Sequence, residues 1–491
     1  MVVSVTESAE SSSNFVPLGY RMQELQDTDE PVASDLVVDG GRSENETAAL
    51  TVNVPGDKSV SHRALLAALL PGAPSRLTVR NANLGGAVRA LLPAMRVLGR
   101  RVTLEHGDLI VERDGVAVPQ PVRPHPDVSD WPADVPYLET EGSSAAARLL
   151  IGVLAGAGVA AVVDGDDVLR HRPMDWLVAP LSELGAEIGY LGEPGRLPVI
   201  IRGPVHRSAT VELAVGSAQA RSAVLLAAFA AGVTVEIRRP VRSRDHTERM
   251  LAAFGARLTE SAESLRYEGG GYAVPPVIDV PADPSLAAYP VAAWLLWGGA
   301  GELRVPGVCL NPTRLGFFDV LRQSGADIGY RDQRACPGGE MAGTIVARGG
   351  LANLAAVRVD DPVTLHALID EVPLLTAVSA TLPGVSWLGC AGELRFKETD
   401  RLVTTARMAA AFGAHAEVAG DGLKVTGGAA LTPGVVPSYG DHRIAMAAAT
   451  LAMSLTGRTT VSDGGSHRTS FPGFVSVGRA IGARITEITR R

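Results

Sequence analysis

Six times along the chain an amphipathic, helix-like run of apolar residues ends in a glycine and passes directly into a short β-prone stretch. The runs are AMRVLGRRV, LSELGAEIGY, MLAAFGARL, LRQSGADIGY, MAAAFGAHAEV and GRAIGARI, closing on Gly99, Gly185, Gly255, Gly325, Gly413 and Gly482. Glycine adopts the left-handed backbone that stops a helix without steric cost, so each run predicts a helix, a glycine cap and a strand. Successive glycines lie 86, 70, 70, 88 and 69 residues apart, and pairing first with fourth, second with fifth and third with sixth gives offsets of 226, 228 and 227. A period this regular signals a duplicated block of three similar units.

Each unit holds a second helix-like run that opens after a small or polar stretch: GDKSVSHRALLAALL, GSSAAARLLIGVLAG, GSAQARSAVLLAAFA, ADPSLAAYPVAAWLL, DEVPLLTAVSATL and GDHRIAMAAATLAM. These are apolar nearly all round, as a helix surrounded by protein is. The pattern predicts an α/β chain of two three-unit domains, with buried helices inside and strands and amphipathic helices outside. The length of 491 residues fits, because one core rarely serves so long a chain. Residues 1–48, rich in Ser, Glu, Asp and Thr, lack both the basic start and the apolar stretch of a targeting peptide and read as a disordered acidic leader.

Composition narrows the function classes. A net charge of −8 argues against a nucleic-acid scaffold, which needs a basic excess, so any anion site must be local. The apolar runs are broken by charges before they reach the ~18 to 20 residues of a membrane span. Cys309, Cys336 and Cys390 are scattered without metal-ligand spacing, which suits a reducing, cytoplasmic setting and no structural zinc.

The chemistry gathers where the buried helices begin. A helix start leaves unpaired N–H groups and partial positive charge, and here it is reinforced by Lys58 and Arg63, Arg148, Arg221, and His442 with Arg443. LRHRPM adds Arg170 and Arg172; LRFKETDR adds Arg395, Lys397, Glu398 and Arg401. One such cation alone is an ordinary snorkelling side chain, but recurrence at equivalent unit positions shifts the reading toward an anion site, and a substrate bearing phosphate and carboxylate would need such convergent cations. The acid/base candidates are Asp370, Glu398 and Asp441. Asp441 reads as an ion-pair partner, and Asp370, at a helix start, reads equally as an N-cap.

Ten strings in order carry a family likeness: PGDKSVSHR, DGDDVLRHRPM, GSAQARSAVLLAA, SRDHTERML, VPADPS, LNPTRLG, IDEVP, ELRFKETDRL, YGDHRIAMA and TSFPGF. With these the sequence resembles the enolpyruvyl transferases, most closely the 5-enolpyruvylshikimate-3-phosphate synthases of the branch less sensitive to glyphosate. The resemblance implies two domains of three βαβαββ-like repeats with buried parallel helices, an inside-out α/β barrel, at 57–280 and at 49–56 plus 281–491. It implies a monomer with its active site in the cleft, using no cofactor or metal and binding neither nucleic acid nor membrane. The substrates would be phosphoenolpyruvate and shikimate 3-phosphate.

Carried over by position, Lys58, Arg172, Gln219, Arg401 and Arg443 would hold phosphoenolpyruvate. Ser59, Arg63, Ser217, Gln219, Arg244, Asp370 and Lys397 would hold the acceptor. Asp370 would act as general base, with Glu398 and Lys58 moving the proton on and off the methylene carbon. Two segments depart from the family pattern. Its Gly-Asn-Ala-(Gly or Ala)-Thr run reads Glu141-Gly142-Ser143-Ser144-Ala145 here, so the Asn amide is missing and Ser144 stands where most members have Gly. The Lys often found before Ser-Phe-Pro is Thr469, with Arg468 adjacent as a candidate substitute. The first departure keeps open a different acceptor, a nucleotide or sugar.

Overall fold

A computed structural model describes residues 33–42, 49–114, 135–213, 216–238, 243–270, 273–298, 301–351 and 354–490. All six cap glycines sit at positive φ, from 70° at Gly99 to 108° at Gly325. A strand follows each within a few residues: Arg100–Glu105, Glu187–Tyr190, Leu258–Glu260, Asp327–Ala335, His415–Ala419 and Ala483–Thr489. Each of these is one edge of a four-stranded sheet, and the six sheets share one design. In the second unit, Tyr137–Glu139 runs parallel to Ala161–Asp164, which pairs antiparallel with Val199–Gly203, which pairs antiparallel with Glu187–Tyr190.

Three sheets borrow a strand from a distant part of the chain. The first takes Val277–Asp279, which runs parallel to Arg76–Arg80. The fourth and sixth take two strands from near the N-terminus, β1 (Ser34–Arg42) and β2 (Ala49–Thr51). β2 lies parallel to Glu302–Cys309, and β1 lies between Arg458–Ser462 and Ala483–Thr489, antiparallel to both. The expected disordered leader of residues 1–48 is therefore corrected over 34–42. Leu36 and Val38 are buried while Asp35, Val37 and Asp39 are only partly covered, the period-two pattern of a strand with one face on a core. The polar residues around this short alternation mask it, and its partners lie more than 400 residues away. Residues 1–32 and 43–48 lie outside the described residues.

The helices of the apolar runs fill the two lobes. α1 (Lys58–Ala67), α2 (Ser144–Ala157) and α3 (Ala218–Ala231) belong to a core running from Val60 to Val280. α4 (Pro284–Trp297), α5 (Val372–Ser379) and α6 (His442–Ser454) belong to a core built from Leu36 to Val54 and from Ala282 to Ile485. This is the inside-out arrangement, with helices within and sheets around them. Chain crossings between the lobes run side by side, joined by an antiparallel bridge between Gly56 and Ala282. Among the described residues no helix is long and apolar enough to cross a membrane.

Such close helix packing demands small residues. A Cβ at Gly152 would stand 2.5 Å from the Ala223 carbonyl oxygen, and one at Gly156 would stand 2.2 Å from that of Ala227. These obstacles are backbone, so α2 and α3 would have to separate. Gly156→Val is expected to lower stability by about 1–3 kcal/mol through overpacking, read as a lower denaturant midpoint; an unchanged midpoint would contradict the packing described.

Candidate active site

Side-chain caps fix the helix starts that build the site. Asp57 accepts from Val60 N at 2.9 Å, Asp283 from Ser285 N at 2.8 Å and Asp441 from Arg443 N at 2.9 Å, closing the first turns of α1, α4 and α6. α5 instead follows a single 3-10 turn, Ile369–Glu371, and this turn presents Asp370.

Asp370 is one point where the lobes meet electrostatically. Its Oδ2 accepts from Arg244 Nη2 of the first lobe at 2.6 Å and lies 3.9 Å from Arg443 Nη2, while its Oδ1 lies 3.5 Å from Arg401 Nη1. Among the described residues this carboxylate makes no capping bond, so the N-cap alternative gives way to a cation-bound one. Burial by itself would raise its pKa, but Arg244, Arg443, Lys397 and Arg401 together hold the carboxyl well below the usual carboxylate range.

Arg401 and Asp441 form the buried floor. Arg401 Nε and Nη2 donate to Asp441 at 2.9 and 3.1 Å, and Nη2 also pairs with Glu398. Asp441 thus takes the ion-pair role its sequence context suggests. Glu398 remains 40% exposed, and although burial pulls its pKa upward, Arg401, Arg172 and Lys58 hold it well below the usual range. Lys58, the first residue of α1, is affected in the opposite sense. Burial and the neighbouring Arg443 lower its pKa more than Asp370 and Glu398 raise it, so its ammonium releases a proton more readily than a free lysine would.

Lys58, Arg172, Arg401 and Arg443 therefore act on one pair of carboxylates. Among the described residues, neither Lys58 Nζ nor the Arg172 guanidinium has an ion-pair partner within 4 Å. Arg443 Nη1 is buried without a hydrogen-bond acceptor. A buried guanidinium beside cations without ion-pair partners has donors suited to an anion. Behind Arg443 lies buried Glu371, 3.9 Å from Nη1, with a pKa raised by burial. Glu371 carries no signal in the sequence beyond its place next to Asp370.

On the first-lobe side, Gln219 Oε1 accepts from Arg148 Nη1 at 2.6 Å, and Arg148 stacks 4.6 Å over the Trp176 ring. Burial, with help from Arg172, pushes Arg148 down to about 9. Ser217 caps α3 through Ala220 N. Arg63 is largely committed within its lobe, donating to Thr247 Oγ1, Ser222 Oγ and the Ser59 carbonyl at 2.7, 2.7 and 2.8 Å. Lys397 is bound to Glu393.

Several cations of the sequence pattern are structural. Arg221 pairs with Glu248 and holds the carbonyls of Ser243 and Arg244, Arg170 pairs with Asp164, and Arg395 pairs with Asp400. Arg468 is bonded to Glu487 at 2.9 Å and so is engaged on the Ala483–Thr489 strand. His442 contributes no charge, because burial pushes it down to about 3. Among the described residues no group of three or more His, Cys, Asp or Glu is placed to hold a metal.

Fold and site together define a class: a two-lobed α/β protein in which guanidinium groups from both lobes gather around one carboxylate. The model of the EPSP synthase (3-phosphoshikimate 1-carboxyvinyltransferase) family matches residues 45–477, and the chain belongs to that family. It is 39% identical over 444 residues to a 3-phosphoshikimate 1-carboxyvinyltransferase of Gluconobacter oxydans, covering 88% of this chain and 95% of that protein. The EPSP synthase structure from Acinetobacter baumannii superposes with a TM-score of 0.79 at 29% identity, covering 93% of this chain and 100% of the other. The enolpyruvyl transferase NikO from Streptomyces tendae, at 16% identity and a TM-score of 0.70 over 94% of this chain and all of its own, shares the fold.

Two buried histidines give the site region a pH signature. Burial lowers His62 to about 4 and His442 to about 3, whereas both titrate near 6.5 once unfolded. Below pH 6.5 the unfolded chain binds more protons, so stability is expected to fall with pH by up to about 1.4 kcal/mol per unit per histidine. Denaturant titrations from pH 7 to 5 should show this, and His62→Gln should remove one proton's share of the slope; an unchanged slope in the variant would contradict it.

Proposed function

We propose that the chain transfers the enolpyruvyl group of phosphoenolpyruvate to the 5-hydroxyl of shikimate 3-phosphate and releases phosphate. The observation that supports this most is the convergence of Lys58, Arg172, Arg401 and Arg443 on Asp370 and Glu398, in a chain of the EPSP synthase family. Lys58, Arg172, Gln219, Arg401 and Arg443 bind the phosphate and carboxylate of phosphoenolpyruvate. Ser59, Arg63, Ser217, Gln219, Arg244, Asp370 and Lys397 bind the acceptor, Arg63 through donors not already engaged. The lobes correspond to 57–280 and to 49–56 plus 281–491, the second completed by β1, and the enzyme works as a cytoplasmic monomer.

In the addition step a proton is delivered to the methylene carbon of phosphoenolpyruvate. The acceptor oxygen then bonds to the adjacent carbon as its own proton passes to Asp370. In the elimination step the carbon–oxygen bond to phosphate breaks and the methyl group gives back a proton, restoring the double bond. Glu398 and the weakened ammonium of Lys58 carry the methyl proton, and the arginines take up charge on the departing phosphate. Without substrate, Asp370 is a poor base because three guanidinium groups face it. When anionic substrate takes over those arginines, the field on Asp370 weakens and its basicity rises, so the base is armed by the substrates it serves.

The missing Asn at position 142 bears on the acceptor. A Cβ there would stand 2.8 Å from Asp166 Oδ2, whose partner oxygen caps Leu169 N at 2.8 Å, so that carboxylate occupies the space an amide side chain would need. The runner-up is therefore an enolpyruvyl transferase for a nucleotide or sugar acceptor. Phosphate release on mixing phosphoenolpyruvate with shikimate 3-phosphate supports the main reading, and Asp370→Ala should slow it by at least about 10²-fold with little change in phosphoenolpyruvate affinity. No release, and no calorimetric heat with shikimate 3-phosphate, would leave the runner-up.

Half-buried Ser144, the first residue of α2, adds bulk where most of the family carries glycine. Glyphosate is longer than phosphoenolpyruvate and should be hindered more. Weak inhibition is expected, and an inhibition constant at or below the phosphoenolpyruvate Michaelis constant would refute it.

A further inference from the structure

The two crossings between the lobes are gripped by one buried side chain outside the anion site. Arg314, 3% exposed, lies in LNPTRLG on a short turn of the second lobe. Its Nη1 donates to Asp57 Oδ2 at 2.6 Å, and its Nη2 donates to Asp283 Oδ1 and Ser285 Oγ, both at 2.8 Å. Asp57 and Asp283 are the N-caps of α1 and α4, in opposite lobes, each one residue beyond the Gly56–Ala282 bridge. The backbone N–H of Lys58 donates across the crossing to Asp283 Oδ2 at 3.2 Å. The start of α1 is thus capped partly by the other lobe.

The same network reaches the second cross-lobe contact. His246, first residue of the helix His246–Ala253, bonds through Nδ1 to Glu340 at 2.7 Å and lies 3.3 Å from Arg314 Nη1 through Nε2. Its neighbour Asp245 accepts from Asn311 Nδ2 at 2.7 Å, and the next residue back is Arg244, bonded to Asp370. Lys58, through its backbone, and Arg244 tie this chain of contacts to the cations around Asp370. What unites the contacts is that both first-lobe segments presenting charge to Asp370, the starts of α1 and of the helix His246–Ala253, are pinned to the second lobe through Arg314.

We propose that Arg314 is a positioning residue: by clamping Asp57 to Asp283 it registers the start of α1, and Lys58 with it, against the second-lobe half of the active site. Lys58 then travels with Arg401, Arg443 and Glu398 as the cleft closes, although most of its helix belongs to the first lobe. A lysine ammonium in place of the planar fork cannot hold two carboxylates and a hydroxyl at once in this geometry. This inference rests on the enolpyruvyl-transfer reading for its kinetic arm only.

Arg314→Lys is compared with the native enzyme by hydrogen exchange and by phosphate release from phosphoenolpyruvate and shikimate 3-phosphate, well below each protein's melting point. Expected are faster exchange at amides 57–61 with unchanged exchange in α2, and a fall in kcat of about 10²-fold, the scale of a misplaced catalytic group. The Michaelis constant for shikimate 3-phosphate should stay within about threefold, because Arg314 touches no substrate, whereas that for phosphoenolpyruvate should rise with the displaced Lys58. In a Lys58→Gln background, adding Arg314→Lys should slow the enzyme no further, since residues acting as a unit are not additive. Native exchange at 57–61, native kcat, or losses that multiply in the double variant would each overturn the proposal. Should Arg314→Lys fail to fold, Asp283→Asn keeps a good helix cap while weakening the clamp, and it is expected to show the same exchange change with a smaller kcat loss. Should the native enzyme release no phosphate from this substrate pair, the functional reading has failed, and the exchange result alone decides the clamp.

Discussion

Like charges crowd together in this protein because buried helix starts and paired carboxylates make a place for them. Arg244, Arg401 and Arg443 all face Asp370, and Arg401 is further held by Asp441 and Glu398. Guanidinium groups this close, in a region shielded from water, would repel strongly without those carboxylates. With Lys58 and Arg172 added, five cations face the four carboxylates Asp370, Glu371, Glu398 and Asp441, and in the proposed function a doubly anionic substrate joins them. The low pKa values of Asp370 and Glu398 follow from the surrounding cations, and the lowered pKa of Lys58 follows first from burial and then from Arg443.

The duplicated fold explains how so many cations reach one place. Six units each bury a helix whose start is fixed by a cap or a tight turn, so residues one or two positions into α1, α3 and α6 face a common region from both lobes. Symmetry of placement is not symmetry of use. Lys58, Arg172 and Arg443 act on Asp370 and Glu398, whereas Arg63 and Arg221 are consumed by Thr247, Ser222 and Glu248 in stabilising the first lobe itself. The SRDHTERML string supplies both kinds of partner, Arg244 for the cleft and Thr247 and Glu248 for the interior.

What the sequence makes legible follows from how local the signal is. A glycine at positive φ after an amphipathic run is a one-turn event, and all six positions from Gly99 to Gly482 adopt it. The all-apolar helices are equally local. β1 is not: four alternating positions among Ser, Asp and Gly carry little pattern, and only pairing with strands more than 400 residues away gives them a face to bury. The same limit applies to the cations. Lys58 and Arg221 look alike in sequence, each near the start of an apolar helix, and they differ only in whether an acid from elsewhere in the fold has reached them first. Arg314 and Glu371 are legible as neighbours of recognisable strings, but their roles arise from contacts made across the molecule.

The account stands on positive groups of both lobes enclosing one anion between them. Diffraction from crystals of the protein grown with shikimate 3-phosphate and soaked with phosphoenolpyruvate or its product phosphate examines this without kinetics. The account requires density for a phosphate group within hydrogen-bond reach of Lys58, Arg172, Arg401 or Arg443, with contributions from both lobes. Ligand bound on one lobe alone, with Arg401 and Arg443 still turned to their present carboxylates, would contradict it.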